Sequence, residues 1–593
     1  MAEVGKEPRV IVVGGGLAGL MATIKACEAG MAVDLFSIVP CKRSHSACAQ
    51  GGINAAVNTK GEGDTPWEHF DDTIYGGDFL ANQTPVKGMC EAAPKIINLF
   101  DRMGMMFNRT DEGLIMVRRL GGVKHSRTVF AGATTGQQLL YALDEQVRRW
   151  EAKGLVVRRE GWEFLSAIVD DDGVCQGIVA QEHKSMEIHS FTAKAVVIAT
   201  GGPGMIFGKT TNSTINNGGA AARLYLQGVK YANGEFIQIH PTAIPGADKN
   251  RLMSESARGE GARVWTYKDG KPWYFLEEMY PAYGNLVPRD IATRAIFEVC
   301  VSMGLGVDGK NMVYLDLSHK DPRELDRKLG GILEIYEKFI GDDPRKIPMK
   351  IFPAVHYSMG GLWVDFEQMT NITGLFAAGE CEYQYHGANR LGGNGMLSAI
   401  YGGMVAGESI VKYVQGKSAL EASPRCITEA IEREEEQLER IMAMDGTENA
   451  YQIHRELGQW MTDNVTVVRY NDRLAATDNK LQELMERFEK VNINNTNKWN
   501  NQAVFFLRNL EGMLEMARVI TLGALARDES RGAHYKPEFA QRDDENWLKT
   551  TIAEHSPEGP QLSYEQVDLS YIKPRERKYD VDKEVTMGAK SAG

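Results

Sequence analysis

The chain has 593 residues, of which 43% are hydrophobic and 25% charged, and its formal net charge is −12. This composition is ordinary for a globular protein and excludes a disordered, collagen-like or small disulfide-stapled chain. The acidic balance argues against nucleic acid as the main ligand, because phosphate binding needs a basic surface. At ~100–200 residues per domain, the length predicts three or four domains.

The first predicted element is a βαβ unit. Residues 9–13 form a β-branched run that ends abruptly in glycines, which is typical of a buried parallel strand. Residues 17–29 predict a helix ending at Gly30, and residues 32–36 predict a second strand. The run GGGLAG at 14–19 matches G-x-G-x-x-G, whose glycines let the backbone approach a pyrophosphate at the helix N-terminus. The motif alone is weak evidence, but this strand–turn–helix context favours dinucleotide binding over a tight turn without a ligand.

The second strand ends at Ser37, where a dinucleotide fold for NAD places an acidic residue on the ribose. This difference disfavours NAD and favours FAD, whose adenosine end can be held in other ways. Two further strands that end in glycine are predicted within residues 195–202 and 374–379. Because these strands are far apart along the chain, they predict one nucleotide-binding domain assembled from discontinuous segments.

The composition and periodicity of the sequence change at two places. Residues 246–353 carry aromatic and charged residues with weak strand signals, which indicates an inserted domain. From about Ser423 the period becomes helical, and a polar loop at 492–498 precedes a helix predicted over 503–527. The last residues are polar and weakly patterned, so we expect them to wrap over a surface. The predicted fold is α/β, with a discontinuous Rossmann-like FAD-binding domain (1–245 and 354–422), an inserted α+β capping domain (246–353), a C-terminal helical domain (423–545) and an extended C-terminal tail (546–593).

The cysteines and the hydropathy of the chain indicate the cellular compartment in which it works. The eight cysteines are scattered without a Cys-x-x-Cys pair, which fits neither a disulfide framework nor a zinc or iron–sulfur site within this chain. We therefore expect no bound metal and a reducing cytoplasm. No apolar run reaches the ~18–20 residues that span a bilayer. We expect a chain that is not itself transmembrane, although it can dock on a membrane partner.

The most specific signal is the segment RSHSACAQGGIN at 43–54. A histidine followed by Gln-Gly-Gly closely resembles the covalent-flavin loop of the succinate dehydrogenase and fumarate reductase flavoproteins. The sequence at 61–69 most resembles that of the succinate dehydrogenase subunits of menaquinone-using bacteria. The resemblance covers almost the whole chain, through motifs at 133–137, 238–242, 252–261, 288–290, 356–361, 377–380, 389–394 and 542–547.

The resemblance implies FAD, held covalently because a ring nitrogen of His45 attacks the 8α-methyl group of the flavin. Without it, a histidine in a polar loop is more simply explained as solvent-exposed. The cofactor-binding positions that it implies are Gly14, Gly16, Leu17, Ala18, Gly19, Ser37, Ser44, His45, Gly51, Gly52, Glu380, Asn394, Gly395 and Met396.

Two motifs depart from the family pattern. Many relatives have Asn-Thr-Gly-Asp-Gly where this chain has NNGGA at 216–220, so the aspartate that contacts FAD is missing at Gly219. The usual Asn-Ser-Leu near the flavin is Asn-Gly-Met at 394–396. There the backbone contacts can persist, but a serine hydroxyl contact cannot.

A dicarboxylate substrate needs cationic and hydrogen-bonding groups at both ends. A histidine before proline, as at 240, is otherwise more often a core or capping residue. At 254 the chain has serine where the family usually has threonine, so the hydroxyl is kept. The resemblance implies that succinate or fumarate is bound by His240, Ser254, His356, Arg390, Gln50 and Gly51.

The resemblance also implies that Arg289 moves the proton and that Glu255 and Arg258 carry it between Arg289 and solvent. Arginine is an unpromising base because it stays protonated in proteins. A water-free site with Arg258 close by would destabilise the charge transiently. The simpler alternative is a surface ion pair between Arg289 and Asp290, which is worth little.

The sequence therefore predicts a succinate dehydrogenase flavoprotein subunit that oxidises succinate to fumarate. Its predicted partners are an iron–sulfur subunit and a membrane-anchor cytochrome b subunit that binds quinone, at the cytoplasmic face of the membrane. Three alternatives stay open. The first is a dedicated fumarate reductase. The second is L-aspartate oxidase, which holds its flavin non-covalently and is disfavoured by His45. The third is a catalytically inactive electron-transfer or assembly scaffold, against which the set of His240, Arg289, His356 and Arg390 argues.

Overall fold

The computed structural model describes residues 9–415 and 423–579. The predicted domain limit at 422 and residues 580–593 of the predicted tail lie outside the described residues. The described strands are, in chain order, β1 (Arg9–Val13), β2 (Ala32–Ser37), β3 (Ile53–Asn54), β4 (Val117–Arg118), β5 (Thr128–Val129), β6 (Val156–Glu160), β7 (Trp162–Val169), β8 (Cys175–Glu182), β9 (Ile188–Thr192), β10 (Val196–Ile198), β11 (Tyr231–Ala232), β12 (Ile237–Ile244), β13 (Arg251–Leu252), β14 (Arg263–Lys268), β15 (Lys271–Trp273), β16 (Val313–Asp316), β17 (Met349–Ser358), β18 (Gly361–Leu362), β19 (Leu375–Ala377), β20 (Lys549–Glu554) and β21 (Gln561–Gln566).

The described α-helices are α1 (Leu17–Glu28), α2 (Pro66–Gly76), α3 (Gln83–Arg102), α4 (Thr135–Ala152), α5 (Gly219–Leu226), α6 (Ser256–Gly259), α7 (Phe275–Met279), α8 (Arg289–Phe297), α9 (Pro322–Ile340), α10 (Asn394–Gln415), α11 (Pro424–Met442), α12 (Ala450–Asn464), α13 (Asn471–Phe488), α14 (Gln502–Ala526) and α15 (Asp544–Trp547).

A five-stranded parallel sheet in the order β19-β10-β1-β2-β6 brings the predicted glycine-ended strands together. Helices α1, α4 and α10 cover one face of this sheet, and the three-stranded sheet β7-β8-β9 packs against the other face. The strands are therefore buried on both faces, as parallel sheets require, and the predicted discontinuous Rossmann-like fold is confirmed. The edge strand β6 was not predicted, because its sequence, Val-Val-Arg-Arg-Glu, carries the charges that an edge position tolerates.

The inserted segment builds a second, six-stranded sheet in the order β13-β12-β17-β16-β14-β15. Its longest antiparallel pair is β12 with β17, and a buried apolar cluster lies between strands β12, β14, β16 and β17 and helices α7, α8 and α9. Strand β17 runs across the predicted limit at 353, and β12 ends at Ile244, before the predicted limit at 246, so the sheet includes residues outside the predicted insert. The domain limits therefore stay a prediction, while the sheet places β12 and β17 directly beside the parallel sheet's carboxyl edge.

The region after Ser423 is helical, as its period predicts. Leu481, Leu484 and Phe488 are buried on one face of α13, and the helix predicted after the polar loop is α14. These helices share one apolar cluster with part of the nucleotide-binding domain. The helical segment consequently forms a wall of that domain.

The last described residues begin with a hairpin of β20 and β21, which joins β11 and β18 in a four-stranded sheet. The hairpin was not predicted. Beyond it, the chain wraps over the surface, as expected, and Arg577 bonds to Asp78 (3.2 Å) and to Asp290 (3.0 and 3.3 Å). Asp290 directly follows the first residue of α8, so this extended segment fixes the start of that helix.

Candidate active site

One cavity of about 480 Å³ lies between the two sheets, within the range of small-molecule sites. It is lined by residues that follow β1, β2, β10 and β19, which is the carboxyl edge where open α/β sheets bind their ligands. The opposite wall comes from β12, β17 and the start of α8. The predicted site residues all line this cavity except Gly19, Arg258 and Asn394.

The glycine turn at 14–19 forms one wall of the cavity. Gly14 has a φ of +122°, and a Cβ there would lie 2.0 Å from the carbonyl oxygen of Ala199. A Cβ on Gly19 would lie 1.9 Å from the carbonyl oxygen of Gly14, so this glycine keeps α1 close to its strand. The N-terminus of α1, whose N-cap Gly16 has no side chain, therefore faces the cavity, as a site for a pyrophosphate requires, and the backbone N–H of Leu17 donates to Ser46 Oγ (3.3 Å).

His45 lies in the loop after β2 and lines the same cavity. Its Nδ1 accepts a hydrogen bond from the backbone N–H of Ser213 (3.1 Å), and its Nε2 is 3.2 Å from Asn212 Nδ2. Burial, together with the positive charge of Lys249, lowers the pKa of His45 to about 4. The ring is therefore neutral at pH 7, which is the form with a free lone pair.

Two buried polar atoms in the cavity wall have no partner among the described residues. They are Ser44 Oγ and Gln50 Oε1. Leaving such an atom unpaired costs ~1–3 kcal/mol, so both fit a wall that meets a polar ligand. Together with the helix N-terminus that faces the cavity, these atoms fit the predicted FAD.

Arg390 is the least compensated charge in the wall. Its guanidinium has no carboxylate within 4 Å, donates no hydrogen bond to a described residue, and stacks over the ring of Tyr357 at 4.3 Å. Burial, followed by repulsion from Arg289, lowers the pKa of Arg390 to about 9, so the group is still cationic at pH 7. A buried cation without a counter-ion is the group that an anionic ligand would satisfy.

Two histidines lie beside it on neighbouring strands. His240 in β12 and His356 in β17 have ring centroids 4.9 Å apart. The Nδ1 of His240 receives the backbone N–H of Thr242 (3.2 Å), and the Nδ1 of His356 is 2.7 Å from Thr211 Oγ1. Burial and the nearby arginines hold the pKa of both rings well below the usual value. Both rings are therefore neutral.

Arg289 is the first residue of α8 and extends between two acceptors. Its Nε lies 2.8 Å and its Nη2 2.7 Å from Glu255 Oε2, and its Nη1 donates to Gln238 Oε1 (2.8 Å). The alternative of a surface pair between Arg289 and Asp290 is wrong, because Asp290 is buried and bonds to Arg577 instead.

Glu255 connects Arg289 to Arg258. Its Oε1 accepts from the backbone N–H of Gly121 (2.9 Å) and from Arg258 Nη2 (3.2 Å). Burial raises the pKa of Glu255, but the charges of Arg289 and Arg258 outweigh it and hold the pKa below the usual value. Arg258 continues the chain of contacts away from the cavity to the carbonyl oxygen of Asn285 (2.8 Å).

Ser37 and Glu380 lie at the ends of β2 and β19. The hydroxyl of Ser37 donates to the carbonyl oxygen of Val39 (2.6 Å). Glu380 Oε1 accepts from the backbone N–H of Ser358 (3.1 Å), and burial raises the pKa of Glu380 to about 7. Glu380 therefore offers both an acceptor and, when protonated, a donor to the cavity.

Asn394 differs from what its motif implies, because its side chain is engaged behind the wall. Its Oδ1 lies 2.8 Å from Asn54 Nδ2 and 2.9 Å from His69 Nε2, and its Nδ2 donates to Thr73 (2.9 Å). Asn394 thus fixes the start of α10, while the next two residues, Gly395 and Met396, line the cavity.

Sequence reasoning did not identify three polar residues that also line the cavity, namely Glu163, Lys249 and Asn509. Lys249 donates to the carbonyl oxygen of Asn212 (2.7 Å) next to His45. Neither Lys249 nor Asn509 lies in a recognised motif, so the sequence gave no signal for these two residues.

The eight cysteines are all free thiols. Within the part of the chain that the structure covers, no helix has both the length and the apolar character needed to cross a membrane.

Residues 9–396 match the family model for the FAD binding domain, and residues 454–579 match the model for the fumarate reductase flavoprotein C-terminal region. Over 581 residues the chain is 72% identical to the succinate dehydrogenase flavoprotein subunit of Bacillus subtilis, covering 97% of this chain and 99% of that protein.

Two solved structures are similar over nearly the whole chain. A variant of the Escherichia coli quinol fumarate reductase flavoprotein has a TM-score of 0.91 at 32% identity, covering 97% of this chain and 99% of that one. A quinol–fumarate reductase with menaquinol molecules has a TM-score of 0.89 at 32% identity, covering 96% and 99%.

Proposed function

Since the chain belongs to the family of succinate dehydrogenase and fumarate reductase flavoprotein subunits, we propose a role in catalysis for each wall of its cavity. The chain is an FAD-dependent succinate dehydrogenase flavoprotein subunit, which oxidises succinate to fumarate. The reverse reaction, fumarate reduction, is the alternative that similar proteins support.

The observation that carries the proposal is the convergence of Arg390, Arg289 and two neutral imidazoles on one wall of the cavity. Arg390 has no counter-ion, so one carboxylate of the substrate supplies it through a forked pair of hydrogen bonds. Nε2 of His240 and the hydroxyl of Ser254 hold the other carboxylate, while His356 completes the wall. Gln50 and Gly51 close the opposite side.

Arg289 takes up the proton that leaves one methylene of succinate. When bound, FAD would supply the acceptor for the hydride that leaves the other methylene. Because Arg289 starts as a cation, it first passes a proton to Glu255, with which it already makes two short contacts. Arg258 is also a cation, so it releases a proton on its side away from the cavity and then takes up the proton held by Glu255.

His45 is the residue that would hold the flavin covalently. A substituent on Nε2 leaves the lone pair on Nδ1, and Nδ1 is the nitrogen that accepts from the backbone N–H of Ser213. The hydrogen bond therefore suits a ring linked through Nε2. Gly14, Gly16, Leu17 and Ala18 would hold the pyrophosphate at the N-terminus of α1, and Ser37, Ser44, Gly52, Glu380, Gly395 and Met396 would contact the rest of the cofactor.

The electrons leave through other subunits. Similar proteins are named as subunits, and one similar structure was solved with menaquinol. The eight cysteines lie as separate free thiols, which is not the clustering that iron–sulfur ligation needs. We therefore assign the chain an iron–sulfur partner and a membrane quinone-binding partner, through which it lies at the cytoplasmic face of the membrane.

Anaerobic titration tests this assignment. Stoichiometric succinate should bleach the visible flavin absorbance of the purified chain, and an excess of malonate should slow the bleaching. Acid precipitation should leave the flavin in the protein pellet. Absence of bleaching would contradict the substrate, whereas flavin in the supernatant would contradict the bond to His45 and favour the aspartate oxidase alternative.

A further inference from the structure

One end of the cavity lacks a residue that the family motif contains. Residues 216–220 line this end, and Gly219 stands where many relatives have an aspartate that contacts FAD. The same end is lined by Phe36 and Ser37 at the end of β2, and by Trp162, whose ring lies 6.1 Å from that of Phe36. In dinucleotide folds the end of the second strand faces the adenosine half of the cofactor.

A side chain from α14 occupies the space that an aspartate at 219 would need. A Cβ on Gly219 would lie 2.0 Å from Asn509 Oδ1. Asn509 is held there, because its Nδ2 donates to the carbonyl oxygen of Phe505 (2.8 Å) and to Glu163 Oε1 (3.2 Å). Glu163 is itself fixed by Arg508 (2.7 Å). Glycine at 219 and asparagine at 509 are therefore a matched pair.

The oxygen of this amide is available to a ligand. Asn509 is 4% exposed and lines the cavity, yet its Oδ1 accepts no hydrogen bond from a described residue. Both Nδ2 donors are used within the protein, so Oδ1 is an acceptor of fixed orientation. In the adenosine half of FAD, the groups that donate are the ribose hydroxyls and the adenine amino group.

We propose that Asn509 replaces the missing aspartate and accepts a hydrogen bond from the adenosine half of FAD. This inference rests on the proposed function, since it takes FAD as the occupant of the cavity. It means that the cofactor is held from the helical segment as well as from the parallel sheet, and that Asn509 is a binding residue and not only a packing residue.

The test uses the full chain with His45→Ser, so that FAD binds reversibly, and measures the dissociation constant for FAD by fluorescence. Adding Asn509→Ala should raise this constant about 3- to 10-fold, as expected for one lost hydrogen bond. ADP, which carries only the adenosine half, should lose affinity in parallel as a competitor. The matched control is Gln181→Ala, which removes another partner of Arg508 but does not line the cavity, and it should change the constant less than about 2-fold.

A reciprocal exchange gives a second measurement that does not depend on the alanine variant. Gly219→Asp alone should weaken FAD binding more than Asn509→Ala does, because the new Cβ meets Asn509. The double variant Gly219→Asp/Asn509→Ala should recover affinity. An unchanged constant in Asn509→Ala, or no recovery in the double variant, would overturn the inference, while succinate oxidation by the wild-type chain would still support the proposed function. A His45→Ser parent that binds no FAD would instead remove the proposed cradle and this inference with it.

Discussion

Replacing Arg390 by methionine should weaken substrate binding and leave flavin binding unchanged. Methionine has a similar length and no charge, so it fills the volume beside Tyr357 without offering a donor. We expect succinate and malonate to lose affinity together, because both are dicarboxylates that use the same guanidinium fork. Flavin content should stay that of the wild-type chain, since the pyrophosphate cradle at 14–19 is untouched.

The expected loss of dicarboxylate affinity follows from the surroundings of Arg390. A hydrogen bond to a charged partner in a closed site is worth ~1.5–3 kcal/mol, which is roughly a 10- to 150-fold rise in the inhibition constant of malonate. Without a ligand, the Arg390→Met variant should also be more stable toward unfolding than the wild-type chain. The pKa of Arg390 is lowered to about 9, so burial of this cation destabilises the folded chain by several kcal/mol at all pH values below about 9. The destabilisation is relieved as the pH rises from there toward the pKa of the unfolded chain.

The assay combines malonate inhibition of dye reduction with thermal unfolding, each with and without malonate. Arg118→Met is the control, because Arg118 is also buried and unpaired among the described residues, with its guanidinium over Phe130 at 3.3 Å, yet it does not line the cavity. We expect both variants to unfold at a higher temperature than wild type without ligand. Malonate should then raise the unfolding temperature of Arg118→Met but not that of Arg390→Met. Unchanged malonate inhibition in Arg390→Met would refute the reasoning and assign the carboxylate to another residue.

Three further predictions concern the proton, the flavin and the partners. Arg289→Lys should keep malonate affinity nearly normal but lower turnover by ~10²–10⁴-fold or more, because a lysine cannot contact both Glu255 and Gln238; near-normal turnover would return Arg289 to a binding role. His45→Ser should retain FAD and fumarate reduction with a strong donor but lose most succinate oxidation, because the imidazole substituent makes the flavin more oxidising; equal losses in both directions would contradict this. The isolated chain should reduce artificial dyes with succinate and fail to reduce quinone until its partners are added; stoichiometric iron in the purified chain would contradict the assignment of electron transfer to other subunits.

The parallel sheet could be predicted from sequence because local patterns specify its strands. An apolar run that ends in glycine marks β1, β10 and β19, since full burial demands apolar residues and the turn demands glycine. The strand β6 and the hairpin of β20 and β21 gave no such signal. Strands β6 and β21 lie at sheet edges, where polar and charged side chains face solvent and the apolar pattern is lost, and the inner strand β20, Lys-Thr-Thr-Ile-Ala-Glu, has few apolar residues.

The candidate site also contains residues that the sequence could predict and contacts that it could not. His45, His240 and Arg390 lie in motifs, so the resemblance was enough to find them. The contacts that decide their chemistry join residues far apart along the chain, such as Arg289 with Glu255. Asn509 is the extreme case, because it reaches Gly219 from α14 and belongs to no motif. For Asn394 the motif gave no indication that the side chain bonds to Asn54, His69 and Thr73 behind the wall, and its role in binding the cofactor stays a prediction.

The contact of Arg577 with Asp78 and Asp290 has a consequence for how the enzyme matures. These partners are separated from Arg577 by 499 and 287 residues along the chain. Contacts of such long separation form late, because a large loop must close before they are gained. The start of α8 therefore gains its contact with the C-terminal segment only after residue 577 has been synthesised, whereas Glu255 and Gln238, which hold the side chain of Arg289, are synthesised before it. A growing chain can form the inner contacts of its proton-transfer residue early, and it completes the outer support of α8 only near the end of its synthesis.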